Sequence, residues 1–319
     1  MRNAEEQEIR HYYQASWLLR SAVILDINCP VCKQKNIERF RNVSSIYSNK
    51  LYALGSCEDC GHIFILNPPD KDELGSIYGT IYNYQAHLAI GNEKQWRFRR
   101  LKDVIRKIAP LDARILDIGC GYGRNLNVLK AMGYSNLIGI EINAKASESC
   151  RENGFDVFMG EFSEWLNTGI DKTKNRHTCI LLSHILEHIR DLDDFFNKVS
   201  DFLGSGGQLI LMLPNAGSVT ARILGRHWGW WQSPVHLHHF TIKSINTLLA
   251  AKGFKVNLVF TRGADSLFFL STLFSILRIK PKSRMISEFK LIIIRLNSAI
   301  FKYWLFIGDE ELIVTASKI

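Results

Sequence analysis

The chain has 319 residues and a net charge of +9, with 46% hydrophobic and 22% charged residues. That balance excludes a disordered chain and leaves room for one large α/β domain plus a small accessory one. The positive excess points to an acidic partner: nucleic acid, an anionic membrane surface or a phosphorylated substrate. The first residues, Met1-Arg2-Asn3-Ala4-Glu5-Glu6, lack the apolar stretch of a signal peptide, so a cytoplasmic location is expected. In that compartment seven cysteines point to metal binding or buried thiols rather than disulfides.

In chain order, Cys29-Pro30-Val31-Cys32 and Cys57-Glu58-Asp59-Cys60-Gly61 come first, two C-x-x-C knuckles separated by 24 residues. Each knuckle turns two thiolates toward one point, so Cys29, Cys32, Cys57 and Cys60 predict a closed tetrahedral zinc site. Such a site is structural and folds a segment too small to bury a core of its own. His62 reads as a surface imidazole, and a β-like run follows at 63–66. The basic amphipathic segment from Trp96 to Ile108, closed by Pro110, reads as a helix. From Arg114 to Phe260, apolar runs at 115–118, 137–141, 155–159, 178–183, 208–213 and 255–260 alternate with helical patterns. That alternation predicts a parallel sheet covered by helices. Cys120, Cys150 and Cys179 have no partner pattern and read as buried small residues.

The first of these runs leads into Asp117-Ile118-Gly119-Cys120-Gly121-Tyr122-Gly123-Arg124, a strand, a tight turn and the start of a helix. Glycines here let a ligand approach bare backbone at the strand's carboxyl end. A dinucleotide loop requires the order G-x-G-x-x-G, and Arg124 stands where its third glycine belongs. The order D-x-G-x-G-x-G instead resembles motif I of class I S-adenosylmethionine-dependent methyltransferases. The resemblance implies that Asp117 lies near the cofactor's ammonium, with Gly119, Cys120, Gly121 and Gly123 as the loop under its homocysteine part. The next run ends at Glu141, 22 residues after Gly119. A carboxylate there can accept both ribose hydroxyls, with Ile142 beside it. Glu161 and Phe162 follow the third run, where the resemblance puts contacts to the adenine amino group and ring.

The segment Ser183-His184-Ile185-Leu186-Glu187-His188 resembles the subgroup that includes the ubiquinone-biosynthesis O-methyltransferase. This implies that Ser183 and His184 line the methionine end of the cofactor, while Glu187 and His188 face the cleft or cap the next helix. Pro234-Val235-His236-Leu237, continuing to Phe240-Thr241, is similar to the same subgroup. A hydroxyl or carbon acid must lose a proton before it is methylated, which suits histidine near neutral pH. His236 is the first candidate for that base and His188 the second; loop hydrogen bonding is the alternative for each. Trp228, Trp230 and Trp231 offer surfaces for stacking on a sugar, or serve as core or membrane-interface residues. Cys57 to Tyr84, with Asn67-Pro68-Pro69, Tyr78, Tyr82 and Tyr84, looks like the zinc-bearing front domain of some bacterial sugar and cell-surface polysaccharide methyltransferases. Asn67-Pro68-Pro69 precedes the glycine loop and ends in Asp70, which sets it apart from the N-P-P-aromatic signature of base amino-methyltransferases.

Residues 262–310 form an apolar basic insertion before a final antiparallel strand at 311–316. The run at 267–277 is too short to cross a bilayer, and 278–302 carries +6 of the +9 charge. Residues 267–306 therefore suit a peripheral seat on the anionic inner face of a membrane, or a helical insertion on the core or at a dimer contact.

The expected fold is α/β: a Rossmann-like seven-stranded methyltransferase sheet with its last strand antiparallel, a small zinc-binding domain at 1–84, and a methyltransferase domain at 85–319. The expected activity is S-adenosylmethionine-dependent methyl transfer to a small, sugar-like or lipid-linked acceptor in cell-surface glycan synthesis. An RNA methyltransferase with a zinc-bearing recognition domain and a non-catalytic cofactor-and-zinc scaffold are the competing readings.

Overall fold

The computed structural model describes residues 27–45, 47–48, 50–70, 72–77, 96–168, 178–262 and 310–319. Residues 1–26, Tyr78, Tyr82, Tyr84 and the expected insertion with its membrane seat at 267–306 lie outside the described residues.

The large sheet is built from β4 (Arg114–Ile118), β5 (Leu137–Glu141), β6 (Asp156–Met159), β7 (Thr178–Ser183), β8 (Gln208–Pro214), β10 (Phe254–Arg262) and β11 (Glu311–Lys318). Their order is β10-β11-β8-β7-β4-β5-β6. The strands from β4 to β8 pair in parallel, and β11 runs antiparallel to both neighbours, β8 and β10. This is the seven-stranded arrangement that the alternating apolar runs predict, with the antiparallel final strand inserted beside β8.

Each parallel strand is apolar along its length because both faces are covered. On β4, Leu116 and Ile118 enter one buried cluster with Phe196, Val199 and Leu248, while Ile115 enters another with Leu101, Ile105 and Leu129. β7 repeats the division, sending Ile180 and Leu182 one way and Cys179 and Leu181 the other. Side chains alternate across a strand, so helices pack on both faces. α1 (Trp96–Ile108), α2 (Arg124–Ala131) and α3 (Ala144–Glu152) supply the second cluster; α4 (Phe162–Leu166), α5 (Leu192–Phe202) and α7 (Ile242–Ala251) supply the first. The caps agree with the sequence: Asn143, Asp191 and Thr241 each accept a backbone N–H in the first turn of α3, α5 and α7.

The front segment forms a second, antiparallel sheet of β1 (Ile37–Ser44), β2 (Leu51–Cys57), β3 (Ile63–Ile65) and β9 (His238–His239), in that order. Its last strand comes from far along the chain: Ile63 pairs with His239 and Phe64 with His238. A third buried cluster joins Tyr52, Leu54 and Ile65 to Trp228, Trp231 and Leu237, with α6 (Val219–Leu224) contributing Ala221 and Leu224. One expectation is corrected here. His62 is fully buried, because the returning strand covers it and its Nε2 lies 3.0 Å from His238 Nδ1. Trp228 and Trp231 are likewise core residues, 1% and 4% exposed, rather than membrane-interface residues.

Candidate active site

The register aligns the chemistry along one edge. Asp117 lies one residue short of the end of β4, Glu141 and Ser183 end β5 and β7, and Glu311 opens antiparallel β11 opposite Pro214, the last residue of β8. All four therefore meet at the carboxyl edge of the parallel strands, where ligands of open α/β sheets bind.

The glycine loop leaves β4 with left-handed backbone at Gly119 (φ 72°) and Gly121 (φ 53°). A Cβ at Gly119 would fall 2.0 Å from Ile185 Cδ1, whereas one at Gly121 would enter open space. Gly119 keeps the turn tight against the segment after β7, and Gly121 leaves bare backbone facing the cleft. Glu141 braces the loop from the next strand, its Oε2 accepting from Gly121 N and its Oε1 from Asn143 N, both at 2.8 Å. Cys150 donates its thiol to Gly121 O at 3.2 Å, and Cys120 is packed beside it. All three cysteines of this region are buried.

Asp117 is fully buried and neither of its carboxylate oxygens makes a hydrogen bond. Burial pushes its pKa up to about 8, against the opposing influence of the Asn125 side chain. A buried acid left unsatisfied in this way marks where a cationic or hydrogen-bonding group belongs. Ile142, beside Glu141, is exposed. Glu161 lies at the surface after β6, where its N–H donates to Glu164 Oε2 at 2.8 Å. Phe162 turns its ring into the core against Trp165, Phe195 and Phe202, so the exposed apolar side chains at these strand ends are Ile142 and Met159.

After β7 the chain takes a left-handed turn at His184 (φ 56°), a conformation that costs a non-glycine residue about 1–3 kcal/mol and concentrates at functional sites. The imidazole reaches Glu311 Oε1 through Nε2 at 3.0 Å and Glu187 Oε1 through Nδ1 at 3.3 Å. Trp230 stacks on it, centroids 5.2 Å apart and planes 7° from parallel. Burial alone would lower the His184 pKa, but Glu187 and then Glu311 raise it to about 10. Glu187 is in turn held at about 2 against burial by His184.

His188 and His236, the two candidate bases, converge on Glu187 from separate segments. Their rings meet edge to face at 4.7 Å, and His236 Nε2 is 4.0 Å from Glu187 Oε1. Each donates its Nδ1–H to a backbone carbonyl at 2.9 Å, His188 to Val235 and His236 to Trp230. Burial lowers both pKa values, that of His236 to about 3, so both rings stay neutral with Nε2 as the lone-pair nitrogen. Leu237 N donates to Glu187 O at 2.8 Å, fixing the histidine loop to the segment after β7. Two partners in this cluster carry no local sequence signal: Glu311, which reads only as the start of a strand, and the carbonyl of Trp230.

Away from the cleft, the four knuckle thiols draw together, with Cys29 Sγ 3.6 Å from Cys60 Sγ and Cys32 Sγ 3.5 Å from Cys57 Sγ. A tetrahedral zinc with Zn–S bonds of about 2.3 Å sets its sulfurs roughly 3.8 Å apart, so the cluster fits the ion. The contact between the Cys29 and Cys60 sulfurs lowers the Cys29 pKa to about 5 and raises that of Cys60.

A family model described as a methyltransferase domain matches residues 94–259, more than half of the chain. The chain belongs to the methyltransferase-domain family. This methyltransferase is also similar in fold to solved structures. An S-adenosylmethionine-dependent methyltransferase from Archaeoglobus fulgidus is 21% identical, covering 74% of this chain and 100% of its own, with a TM-score of 0.48. An S-adenosylmethionine-dependent methyltransferase described as putative, from Listeria monocytogenes, is 15% identical, covering 68% and 97%, with a TM-score of 0.45. The geranyl diphosphate C-methyltransferase from Streptomyces coelicolor A3(2), solved with Mg2+, geranyl diphosphate and S-adenosyl-L-homocysteine, is 14% identical, covering 74% and 86%, with a TM-score of 0.44. No curated protein matches the chain. Among the described residues, no helix is long and apolar enough to cross a membrane. The buried Asp117 and the bare backbone at Gly121 lie within the matched methyltransferase domain and offer room and polarity for a cofactor.

Proposed function

We propose that this methyltransferase acts on a small, sugar-like or lipid-linked acceptor in cell-surface glycan synthesis. The cofactor supplies a methyl group already activated on a sulfonium, so the protein's work is to align the acceptor, exclude water and handle a proton. In this reading Asp117, Gly119, Cys120, Gly121, Gly123, Glu141 and Ile142 hold the cofactor, with Glu161 and the backbone of Phe162 at its adenine end and Ser183 and His184 at its methionine end. His236 and His188 stand at the acceptor, and Trp230, stacked on His184, offers it an aromatic wall.

The observation that carries this choice is the acidity of the cleft edge. Glu141, Glu187 and Glu311 gather there beside the protonated Asp117, and His184 is held between the last two. Such an edge repels a phosphate backbone, which favours a small acceptor over RNA, since nucleic-acid binding depends on basic side chains. Four cysteines at tetrahedral spacing support one structural zinc per chain, which elemental analysis of fresh protein would count. The +6 charge of residues 278–302 supports a peripheral seat on an anionic membrane at the cytoplasmic face. Sedimentation with anionic vesicles, compared with neutral ones, tests that part.

The deciding experiment incubates the protein and labelled S-adenosylmethionine with nucleotide sugars, lipid-linked glycans and RNA, and weighs the product. A methylated sugar or glycan supports the proposal. Label only in RNA would replace it with the nucleic-acid reading, and cofactor binding without transfer to any pool would favour a scaffold.

A further inference from the structure

The cluster at Glu187 has more ligand character than base character. Glu187 is 1% exposed and His236 3% exposed; Glu187 Oε1 pairs with His184 Nδ1 at 3.3 Å and lies 4.0 Å from the Nε2 of the neutral His236, while Oε2 has no hydrogen-bond partner. A buried carboxylate left so poorly satisfied marks the position of an ion or a water. The ligand atoms of Glu187, His188 and His236 all lie within 4.8 Å of one another. Both imidazoles already carry the support that metal-bound histidines use: Nδ1 donates to a backbone carbonyl, from His188 to Val235 and from His236 to Trp230. That contact fixes the tautomer and turns Nε2 into the ligand nitrogen. His184 braces the carboxylate from outside, as second-layer partners of ligating carboxylates do.

We propose that Glu187, His188 and His236 form a second metal site, separate from the four cysteines, for a first-row transition dication whose remaining positions take an oxygen donor of the acceptor. Two imidazoles with one carboxylate suit manganese, iron, cobalt or zinc and are a poor match for magnesium or calcium, which take oxygen ligands. Bonds of about 2.1 Å bring such ligands to roughly 3.4 Å from one another, so the ion draws the three inward by about 1 Å. Three protein ligands leave positions open, and the site lies at the same carboxyl edge as the cofactor loop. Its role toward the acceptor rests on the proposed function: it narrows the acceptor to a molecule presenting a hydroxyl, or two adjacent oxygens, to the ion.

The test uses the full chain with its cysteine-bound zinc counted beforehand. Mn2+ is titrated by calorimetry and by electron paramagnetic resonance, and Co2+ by absorption, with S-adenosyl-L-homocysteine binding measured on the same samples. One Mn2+ or Co2+ per chain is expected beyond the zinc, with a cobalt spectrum free of sulfur charge transfer. Affinity should fall more than about tenfold in both Glu187→Gln and His236→Asn. A folded wild-type chain that takes up neither ion, or variants that bind as tightly as wild type, would overturn the proposal, and the wild-type measurement decides even if a variant fails to fold. Homocysteine-analogue binding without the second ion refutes the metal site alone; absent analogue binding refutes the cofactor reading and leaves the metal result to stand separately.

Discussion

His62 Nε2 lies 3.0 Å from His238 Nδ1, joining the residue two places after the last knuckle cysteine to the strand two places after His236. His62 also packs against Phe64 and Phe240, and Thr241 Oγ1 donates to Gly61 O at 3.4 Å. The front sheet thereby sets the position of the loop that carries His236. His62→Ala removes the ring and leaves a buried imidazole without its partner, at an expected cost of about 2–4 kcal/mol in urea unfolding. Turnover should drop further than cofactor affinity, because Asp117 and Glu141 sit on β4 and β5, which are paired with other strands of the large sheet. Equal losses in both would count against this coupling.

Two of the loop's three left-handed glycines, Gly119 and Gly121, separate stability from binding. Gly121→Ala meets no atom within 4 Å, so its structural cost is the left-handed backbone alone, about 1–2 kcal/mol. The added methyl occupies the approach to bare backbone and should weaken cofactor binding at least tenfold by calorimetry. Gly119→Ala drives a carbon to within 2.0 Å of Ile185 Cδ1 and should lower the melting temperature more than Gly121→Ala does. If Gly121→Ala binds the cofactor normally, the cofactor does not lie over that residue.

What the sequence makes legible follows the range of the interaction. β4 and β7 read as strands because both faces are buried and their apolar runs are nearly unbroken. The glycine loop reads as a ligand turn because its signal is local spacing. β1, Ile37-Glu38-Arg39-Phe40-Arg41-Asn42-Val43-Ser44, carries only three apolar residues on a half-exposed sheet, and β9 is two histidines with no strand pattern at all. Their structure depends on partners elsewhere: β9 exists because Ile63 and Phe64 offer it an edge. The contact of His184 with Glu311 spans 127 residues and depends on β11 inserting beside β8. No local pattern records such a contact, so the sequence reveals the cofactor loop more fully than the acceptor cluster.

The three tryptophans of the loop should respond differently to truncation. Trp228 is 1% exposed, donates Nε1–H to Glu310 Oε1 at 3.3 Å and meets Trp231 edge to face at 4.8 Å. Trp228→Ala should cost about 3–5 kcal/mol, with Trp231→Ala close behind. Trp230 is only partly buried and stacks on His184, so Trp230→Ala should cost less than about 2 kcal/mol while lowering kcat/KM for the acceptor tenfold or more. Thermal unfolding beside steady-state kinetics separates the two behaviours. A Trp230 variant with full activity would remove that residue from the acceptor wall.

Asp117 makes the stability of the cofactor-free protein depend on pH in a defined direction. Its carboxyl titrates at an ordinary value of 3.8 when unfolded and at about 8 when folded, because burial disfavours the charged form. Between these values the folded state holds a proton that the unfolded state has lost. The stability associated with the protonated acid is therefore fully present below about pH 4, declines as pH rises, and is gone above about pH 8. One pKa unit corresponds to about 1.4 kcal/mol, so even half of this displacement amounts to about 3 kcal/mol across the window. Asp117→Asn keeps the shape without the charge, so urea unfolding from pH 5 to 9 should give a flatter profile and a more stable protein at the alkaline end. The same variant should bind S-adenosylmethionine more weakly, because the carboxylate that burial penalises is the group available to its ammonium. A variant as pH-dependent as wild type, or one that binds the cofactor equally well, would mean that the acid at the end of β4 neither stores this cost nor serves the ligand.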